Sequence, residues 1–333
     1  MHLRIVTSLA ALVAAAFALA AEAAAETKVT ARLDWAAYGL HAPFFVGLEK
    51  GWFKEKGLAV TVEDGNGSAK TITLVGAGQV EIGHANLSAM ILAKAKSVPV
   101  TSVGHIVRKS DVGFLVPANS GWKTPKDLEG KKVAITPGGF VDPFLDDFLK
   151  RGGTSRDKMT IMMVTAQAKD ATYIAGEADA MISTVPFMIP TLADKRPSAG
   201  ILFADYGLPL PGFGLVANDD WVKKNPAAAR DFVQVFFRAL DHMYASPAHK
   251  AEAVAAFKKQ RPDTKASEAV LLGHIDAFGA YFNTDATKGK PSGWHAPADW
   301  ETTIKLMIDA KLIPETVKPS DVYTNAFIAG GSS

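Results

Sequence analysis

The chain has 333 residues, no Cys, and a formal net charge of +2 from 36 basic and 34 acidic residues. The lack of Cys excludes disulfides, thiolate metal sites and lipid anchoring through a Cys. The charges form no basic block, which argues against a nucleic-acid partner or a membrane-binding stripe, and the length suffices for two domains with real cores.

The first 25 residues predict a cleaved secretory signal peptide. Arg4 precedes an apolar run from Ile5 to about Ala21, and the small residues that follow match an A-x-A cleavage pattern. A transmembrane anchor is the alternative, but anchors usually have bulkier residues over roughly 20 positions. Because no second long apolar run follows, we expect an exported protein without a membrane span, most simply in a bacterial periplasm.

Strand and helix patterns alternate through the first part of the chain. The predicted strands are KVTARLDW, LAVTVED, VEIGHAN and VPVTSVGHIVR. Between them, APFFVGLEKGWFKEKG predicts one helix ending at Gly57, and GNGSAKTITLVGAG and LSAMILAKAK predict two more. Phe44, Phe45 and Trp52 have helical spacing and are expected in the core. This order predicts a parallel sheet with helices on both faces.

A second set of strand and helix units begins after a junction. An apolar strand at 112–116 leads into a Pro/Gly/Asn-rich stretch, and new units run from KKVAITPGG to AGILFADYGLPLP. GFGLVAN then predicts a strand that returns to the first unit, and the chain is mainly helical from Asp219. We therefore predict lobe 1 at 26–116 plus 215–333 and lobe 2 at 117–214, joined by a hinge of two crossings.

Motifs of common enzymes do not occur. GNGSAKT departs from the phosphate-binding loop because Ala69 stands where its second Gly is needed, and GAGQVEIG precedes a strand rather than a helix. G-x-S-x-G and H-E-x-x-H are absent, and the eight His residues lack metal-ligand spacing. We expect no enzymatic activity, no cofactor and no metal, although a Ser/His/Asp triad built from distant positions stays open.

Candidate binding residues follow the predicted strands, where ligands bind in open α/β sheets. Helix N-termini at these points suit carboxylate, sulfonate or carbonyl groups, and aromatic side chains stack on rings. Ordinary helix capping is the alternative for Ser68 and Ser88, and a loop packed onto the lobe is the alternative for Trp35, Tyr38 and His41. The predicted ligand-binding residues are Trp35, Tyr38, His41, Asn66, Ser68, Asn86, Ser88, Gly138, Gly139, Phe140, Ser183, Thr184, Phe187, Asp205 and Tyr206.

Several of these segments resemble one known family. The run DWAAYGLHAPFFVGLEKGWFKEKGL, with GEADAMISTVPF and FADYGLPLPGFGLVAN, is similar to the thiamine-pyrimidine-synthase-like (NMT1/THI5-like) group of periplasmic substrate-binding proteins. Nitrate-, sulfonate- and taurine-binding proteins are related to that group. The resemblance covers nearly the whole mature chain. It implies a two-lobed α/β periplasmic binding protein fold of type II, in which each lobe is a mainly parallel sheet flanked by helices. It also implies closure on a small ligand and delivery to an ABC permease and ATPase.

The resemblance also bears on the ligand. Pyrimidine-precursor binders have a Trp after the first strand and polar residues after the next two, and Trp35, Asn66, Ser68 and Asn86 occupy those places. Nitrate and sulfonate binders tend to present small polar residues where this chain has Trp35 and Tyr38. We therefore expect a pyrimidine or thiamine precursor, or another flat heteroaromatic or aromatic compound.

Three alternatives remain beside this expectation. The first is a binding protein for a small oxyanion such as an aliphatic sulfonate, taurine or nitrate. The second is a secreted enzyme acting on pyrimidines, although the synthase branch uses a Cys-rich motif and this chain has no Cys. The third is a sensory receptor that presents its ligand-bound form to a membrane kinase or chemoreceptor.

Overall fold

A computed structural model describes residues 26–137 and 141–330 as two sheets flanked by helices. The predicted signal peptide lies outside the described residues. The strands are β1 (Thr27–Arg32), β2 (Leu58–Glu63), β3 (Ile82–Asn86), β4 (Val100–His105), β5 (Val112–Pro117), β6 (Lys132–Ile135), β7 (Thr160–Met163), β8 (Ala180–Thr184), β9 (Ser198–Leu202) and β10 (Phe213–Asn218).

Helices connect most of these strands and form the C-terminal part of the described chain. They are α1 (Ala42–Glu49), α2 (Trp52–Glu55), α3 (Ser68–Gly76), α4 (Leu87–Lys94), α5 (Asp142–Arg151), α6 (Ala166–Ile174), α7 (Val185–Leu192), α8 (Asp219–Lys224), α9 (Pro226–Tyr244), α10 (Pro247–Gln260), α11 (Glu268–Gly279), α12 (Pro297–Asp309) and α13 (Pro319–Val322). Within the described residues, no helix combines the length and apolarity needed to cross a bilayer.

The two sheets repeat one strand arrangement. The first has the order β2-β1-β3-β10-β4 and the second the order β7-β6-β8-β5-β9. In the first sheet β10 runs antiparallel to both neighbours, and in the second sheet β5 does the same. The remaining pairings of each sheet are parallel. The prediction of two α/β lobes, each a sheet flanked by helices, is confirmed.

The structure places β5 differently from the sequence-based boundary, which ended the first part of lobe 1 at residue 116. Leu115 pairs with Met181 of β8, and Val116 pairs with Ala199 of β9, so this strand belongs to the second sheet. Phe114 and Leu115 are both fully buried, because β5 lies between two strands and is covered on both faces. The first crossing between the lobes therefore precedes Val112.

The predicted helix at APFFVGLEKGWFKEKG is interrupted. It divides into α1 and α2 because Gly51 adopts a left-handed conformation with φ of 72°. Phe44 and Phe45 of α1 are fully buried, and the ring of Phe44 lies 4.6 Å from that of Phe236 on α9. Burial of each such side chain contributes roughly 1.5–3 kcal/mol, so α1 is fixed firmly against the first lobe.

The two crossings between the lobes are hydrogen-bonded to each other. The backbone N–H groups of Ile106 and Val107 donate to the carbonyl oxygen of Phe213, at 3.0 and 2.9 Å. Gly212 donates its N–H to the carbonyl oxygen of Val107 at 3.0 Å. A Cβ at Gly212 would lie 2.8 Å from that same oxygen, so only glycine permits this close approach.

Candidate functional site

A cavity of about 280 Å³ lies between the two lobes. Its first wall comes from loops and helix ends that follow β1, β2 and β3, and from the start of β10. That wall consists of Asp34, Trp35, Tyr38, Gly67, Ser68, Ala69, Ala89 and Phe213. The second wall consists of Ile135, Thr136, Val141, Asp142, Leu145, Lys169, Asp170, Ile182, Ser183, Thr184, Phe187 and Met188. Such an inter-lobe cavity suits a small molecule.

Aromatic rings from both lobes meet at this cavity. Tyr38, which is 4% exposed, places its ring 4.7 Å from that of Phe187 on α7 of the other lobe. Trp35 is only half-buried and lines the cavity next to the end of β1. A flat apolar surface beside open space is the arrangement that stacks on a planar ligand.

Asp34 lies beside Trp35 and is held by two histidines. His41 Nε2 lies 2.8 Å from Asp34 Oδ1, and His84 Nδ1 lies 2.7 Å from the same oxygen. Burial opposes the negative charge, but the hydrogen bonds of the two histidines outweigh it and hold the pKa of Asp34 well below its usual 3.8. Asp34 is therefore a carboxylate at the wall of the cavity.

The Asp34, His41 and His84 atoms lie within 4.8 Å of one another, a separation that a metal ion could span. His41 Nδ1, however, accepts the backbone N–H of Tyr38 at 3.2 Å, so the ring hydrogen of neutral His41 is on Nε2. A nitrogen that carries hydrogen has no lone pair for a metal. The residues thus fit a hydrogen-bonded carboxylate rather than a metal site.

The loop after β2 sets the position of Asp34 and Trp35. Gly67 donates its N–H to the carbonyl oxygen of Asp34 at 2.6 Å, and Gly65 donates to that of Trp35 at 3.0 Å. A Cβ at Gly65 would lie 1.9 Å from the carbonyl oxygen of Leu33, which excludes any larger residue without a backbone shift. The position of the acidic and aromatic groups therefore depends on this glycine.

The second lobe adds polar groups to the cavity. Lys169 Nζ donates to the carbonyl oxygen of Ile182 at 2.7 Å, and burial lowers the pKa of this lysine. Burial raises the pKa of the neighbouring Asp170, while Asp142 pairs with Arg156 at 3.2 Å. The Thr136 hydroxyl is buried and has no hydrogen-bond partner among the described residues. Thr136 thus offers an unused polar group toward a ligand.

Two of the helix N-termini near the cavity are already capped. Asn86 accepts the N–H of Ala89 at 3.1 Å at the start of α4, and the Asp111 carbonyl oxygen accepts the N–H of Val185 at 2.8 Å at the start of α7. The N-terminus of α3 differs, because it has no side-chain cap and its Ser68 and Ala69 line the cavity. Unpaired N–H groups at α3 can therefore receive an oxygen acceptor.

The predicted ligand-binding residues divide into three groups. Gly138, Gly139 and Phe140 lie outside the described residues. Those that line the cavity are Trp35, Tyr38, Ser68, Ser183, Thr184 and Phe187. Those outside its lining are His41, Asn66, Asn86, Ser88, Asp205 and Tyr206. For the residues that line the cavity, contact with a ligand remains a prediction. For the residues outside the lining, the structure has to explain why they lie elsewhere.

Local interactions explain why three of these polar side chains lie away from the cavity. His41 is fully buried behind Tyr38, where it bonds Asp34. Asn86 caps α4, and the Ser88 hydroxyl donates to the carbonyl oxygen of Pro211 at 3.0 Å. The capping alternative thus describes Asn86, while Ser88 ties α4 to a crossing between the lobes.

The other three residues lie at the surface or in the second lobe. Asn66 and Asp205 are exposed. The Tyr206 ring packs edge-on against Phe148, with centroids 5.1 Å apart. Ser68 does line the cavity, but its hydroxyl already accepts the N–H of Asn86 at 3.0 Å.

Sequence reasoning missed several lining residues, among them Asp34, Lys169 and Phe213. Asp34 follows the first strand directly and precedes Trp35, so its position was a usable signal. Lys169 lies within a helix and Phe213 begins a returning strand. Neither position distinguishes a cavity residue from an ordinary surface or core residue.

A Ser-His-Asn arrangement elsewhere bears on the open question of a triad. His295 Nε2 lies 2.7 Å from the Ser102 hydroxyl, and His295 Nδ1 lies 2.9 Å from Asn325 Oδ1. Ser102 and His295 are fully buried, and burial lowers the pKa of His295 to about 3. A substrate cannot reach this serine, so the arrangement ties the C-terminal segment to β4.

The fold is a two-lobed α/β protein with an aromatic and acidic cavity between its lobes. Residues 39–250 match the family model described as "NMT1/THI5 like", which covers more than half of the chain. The chain therefore belongs to the NMT1/THI5-like family.

Solved structures of similar fold include periplasmic binding proteins. The alkanesulfonate-binding protein SsuA from Xanthomonas axonopodis pv. citri, bound to MOPS, matches with a TM-score of 0.67 at 16% identity, over 91% of this chain and 99% of that chain. The periplasmic nitrate-binding protein NrtA from Synechocystis PCC 6803 matches with a TM-score of 0.66 at 16% identity, over 90% of this chain and 87% of that chain. At these identities the likeness shows the fold alone.

A curated relative corrects the expectation that the chain is not an enzyme. The 4-amino-5-hydroxymethyl-2-methylpyrimidine phosphate synthase of Aspergillus parasiticus is 28% identical over 234 residues, 66% of this chain and 68% of that protein. Its name describes an enzymatic function, so the expectation is wrong. The motifs that were sought belong to nucleotide-binding, hydrolase and zinc-protease sites. Their absence carries no information about pyrimidine chemistry in an inter-lobe cavity.

Proposed function

We propose that the protein is an extracytoplasmic solute-binding receptor for a flat nitrogen heterocycle, a pyrimidine or thiamine precursor. The ligand is held between the two lobes and delivered to an ABC permease and ATPase. One observation carries the proposal: Asp34 and Trp35 are adjacent in the inter-lobe cavity and present a carboxylate beside an aromatic ring. An amino-substituted heterocycle has a face for the ring and N–H donors for the carboxylate.

The charges that line the cavity favour a basic ligand over an oxyanion. Asp34, Asp142 and Asp170 line the cavity, against the single ammonium group of Lys169 among the described lining residues. The low pKa of Asp34 keeps its charge at any physiological pH. A nitrate or sulfonate would have to approach this carboxylate without a nearby guanidinium in the lining.

One feature supports the oxyanion alternative. The N-terminus of α3 is uncapped and opens to the cavity at Ser68 and Ala69. This terminus suits a carbonyl or hydroxyl oxygen of a heterocycle as well as a free anion. The adjacent charge of Asp34 favours the neutral acceptor, because a second negative charge there would be repelled.

An enzymatic role in pyrimidine chemistry is the second candidate function. It is favoured by the relative from Aspergillus parasiticus, whose name describes a pyrimidine phosphate synthase. The two candidates share the cavity and differ in whether the bound compound is changed. Mass spectrometry of the compound recovered after prolonged incubation distinguishes them, since a receptor returns its ligand intact.

The location and partners form part of the proposal. The apolar N-terminal run with its A-x-A sites supports export, and the fold is that of periplasmic binding proteins. An exported two-lobed binding protein suits docking to a membrane permease, so contact with the membrane occurs only through that complex. No nucleic-acid partner is expected, because the charge pattern has no basic block.

Native mass spectrometry of the purified protein, followed by denaturation, tests the proposal first. We expect an added mass that proves to be a pyrimidine or another aromatic nitrogen compound. An empty protein is then screened by thermal shift against pyrimidines, aromatic acids, sulfonates and nitrate. A ligand at 100 times its Kd adds about 2.7 kcal/mol of stability, which raises Tm by several degrees. Stabilisation by sulfonates or nitrate alone would overturn the heterocycle proposal.

A further inference from the structure

The hydrogen bonds at Asp34 divide its two oxygens into different roles. Oδ1 faces both His41 Nε2 and His84 Nδ1, at 2.8 and 2.7 Å. Oδ2 accepts no hydrogen bond from the described residues, while Asp34 lines the cavity and keeps 10% side-chain exposure. A carboxylate oxygen has strong remaining acceptor capacity, so Oδ2 is available to a ligand.

Each histidine directs a ring N–H at Asp34 Oδ1. His41 Nδ1 accepts the N–H of Tyr38 at 3.2 Å, which places its ring hydrogen on Nε2. His84 Nε2 is buried without a hydrogen-bond partner among the described residues, and its ring stacks on Phe213 with centroids 5.2 Å apart. A hydrogen on that nitrogen would be an unpaired buried donor, so the hydrogen of His84 is on Nδ1.

The arrangement leaves one oxygen of a charged carboxylate without a protein donor among the described residues. Burial lowers the pKa of His41 to about 4, so it carries no charge near neutral pH. Asp34 is ionised and accepts from both histidines through Oδ1 alone. A buried carboxylate is unfavourable unless donors reach its remaining oxygen as well. The free direction for such a donor is the cavity.

We propose that His41 and His84 are positioning residues that fix Asp34 Oδ1, so that Oδ2 selects a ligand base through an N–H donor with positive character. This inference rests on the proposed function and specifies it, because it names the amino edge of the heterocycle as the recognised group. An aminopyrimidine presents the N–H donors of its amino group to a carboxylate, and protonation of the ring makes that amino group a stronger donor. The site therefore prefers an aminopyrimidine over a carbonyl-bearing or alkyl-substituted ring of equal size.

Other ionisable groups surround this unit. Tyr38 lies in front of His41, and Asp111 of the first crossing and Asp64 after β2 act on the unit through space. Asp111 acts on Tyr38, and burial raises the pKa of Asp111 to about 7. Across the cavity are Asp142, Lys169 and Asp170. Titration of Asp111 near pH 7 changes the background charge, and burial also raises the pKa of Asp170, so the test must separate their effects from that of Asp34.

The test uses two probes of the same shape and variants that keep or remove one hydrogen-bond donor. The probes are 4-amino-5-hydroxymethyl-2-methylpyrimidine and its 2,4-dimethyl analogue, in which a methyl group replaces the amino group. The variants are Asp34→Asn, His84→Asn and His84→Leu. Asn at position 84 can keep an N–H donor at the place of Nδ1, whereas Leu cannot. Calorimetric titrations from pH 5 to 8, with circular dichroism as the control for folding, give the affinities.

We expect wild-type protein to bind the amino probe at least tenfold more tightly than the dimethyl probe, and Asp34→Asn to lose this discrimination. His84→Asn should keep the wild-type pH profile. His84→Leu should lose affinity at a higher pH than wild type as the pH falls, because the pKa of Asp34 rises without the donor. A purely structural role for His84 would instead weaken binding equally across the pH range.

A measurement on the ligand-free protein tests the inference even if the amino probe does not bind. The carboxyl ¹³C resonance of Asp34 should titrate below its ordinary pH range in wild type and at higher pH in His84→Leu. Equal titration in both, or undiminished discrimination in Asp34→Asn, would overturn the inference alone. A wild-type protein that binds neither probe but binds another compound in a Trp35-dependent manner would instead overturn the proposed ligand class. If His84→Leu does not fold, wild type and Asp34→Asn decide the question.

Discussion

The imidazole of His274 on α11 contacts the carbonyl oxygen of Phe187 on α7, at 3.0 Å from Nε2, and so joins the two lobes beside the cavity. Its Nδ1 accepts the N–H of Gly39 at 3.4 Å, which places the ring hydrogen on the nitrogen that faces Phe187. The two rings also stack, with centroids 5.0 Å apart. A neutral His274 thus bridges the loop after β1 and the second lobe.

This contact predicts a pH dependence. Burial lowers the pKa of His274 from 6.5 to about 4, so the stabilisation is complete above pH 6.5 and falls as the pH drops toward 4. The loss is up to about 3 kcal/mol over that interval, at 1.36 kcal/mol per pH unit. His274→Gln should show a weaker decline in the free energy of unfolding, measured by urea denaturation from pH 4 to 7. An unchanged decline in this variant would assign the effect to the other buried histidines.

Replacement of Trp35 should weaken ligand binding with little effect on folding. Trp35 is half-buried and lines the cavity, so Trp35→Ala removes a stacking surface worth about 1–3 kcal/mol. Trp122 is also half-buried but lies outside the cavity lining, where its ring receives Lys131 at 4.9 Å, so Trp122→Ala is the matched control. Calorimetric titration of both variants with the identified ligand should show loss only for Trp35. Equal affinities would remove Trp35 from the site.

Replacement of Phe45 should affect stability rather than ligand contact. Phe45 is fully buried, and its ring packs edge-on against that of Phe257, with centroids 5.0 Å apart. Phe45→Ala leaves a cavity in the first lobe and should lower the free energy of unfolding by roughly 3–5 kcal/mol. Thermal and urea denaturation measure this loss, and a Tm equal to that of the parent would contradict the core assignment.

Gly65→Ala should displace the loop that holds Asp34 and Trp35 in the site. The new methyl group would lie 1.9 Å from the carbonyl oxygen of Leu33, so the loop must move away from Asp34 and Trp35. We expect a loss of roughly 1–3 kcal/mol in stability and weaker ligand binding as well. Gly121→Ala is the control, since a Cβ there meets nothing within 4 Å although φ is 74°. If Gly65→Ala behaved like this control, the loop would not set the position of the site.

Strand and helix periodicity was sufficient to predict two α/β lobes, because most buried strands were bounded by turn residues. It failed at β5, where an apolar run has the same appearance at the end of one sheet or in the centre of the next. The sheet to which Leu115 belongs depends on its pairing with Met181, a long-range contact without a local signal. Periodicity also failed to predict the helix break at Gly51, because this residue lies within an uninterrupted helical pattern of apolar residues.

The site was predictable in part, where candidate residues lie at or after strand ends, as for Trp35, Ser183 and Thr184. Trp35 and Tyr38 stood out in the sequence, and both line the cavity. His41 has the same sequence context as Tyr38, yet the turn directs it into the core, where it bonds Asp34 at 2.8 Å. Side-chain direction over a single turn of 3₁₀ helix depends on backbone geometry that residue type does not specify.

The place of β10 in the first sheet has a consequence for the order in which the chain can fold. This strand lies between β3 and β4, but it is synthesised after every strand of the second sheet. The second sheet can complete its hydrogen bonding once β9 has emerged. Until β10 has been synthesised, the first sheet lacks the strand beside β3 in which Leu215 pairs with His84. The order of synthesis therefore allows the second lobe to complete its sheet before the first, and β3, which carries the partner His84 of Asp34, gains its second neighbour only when β10 pairs with it.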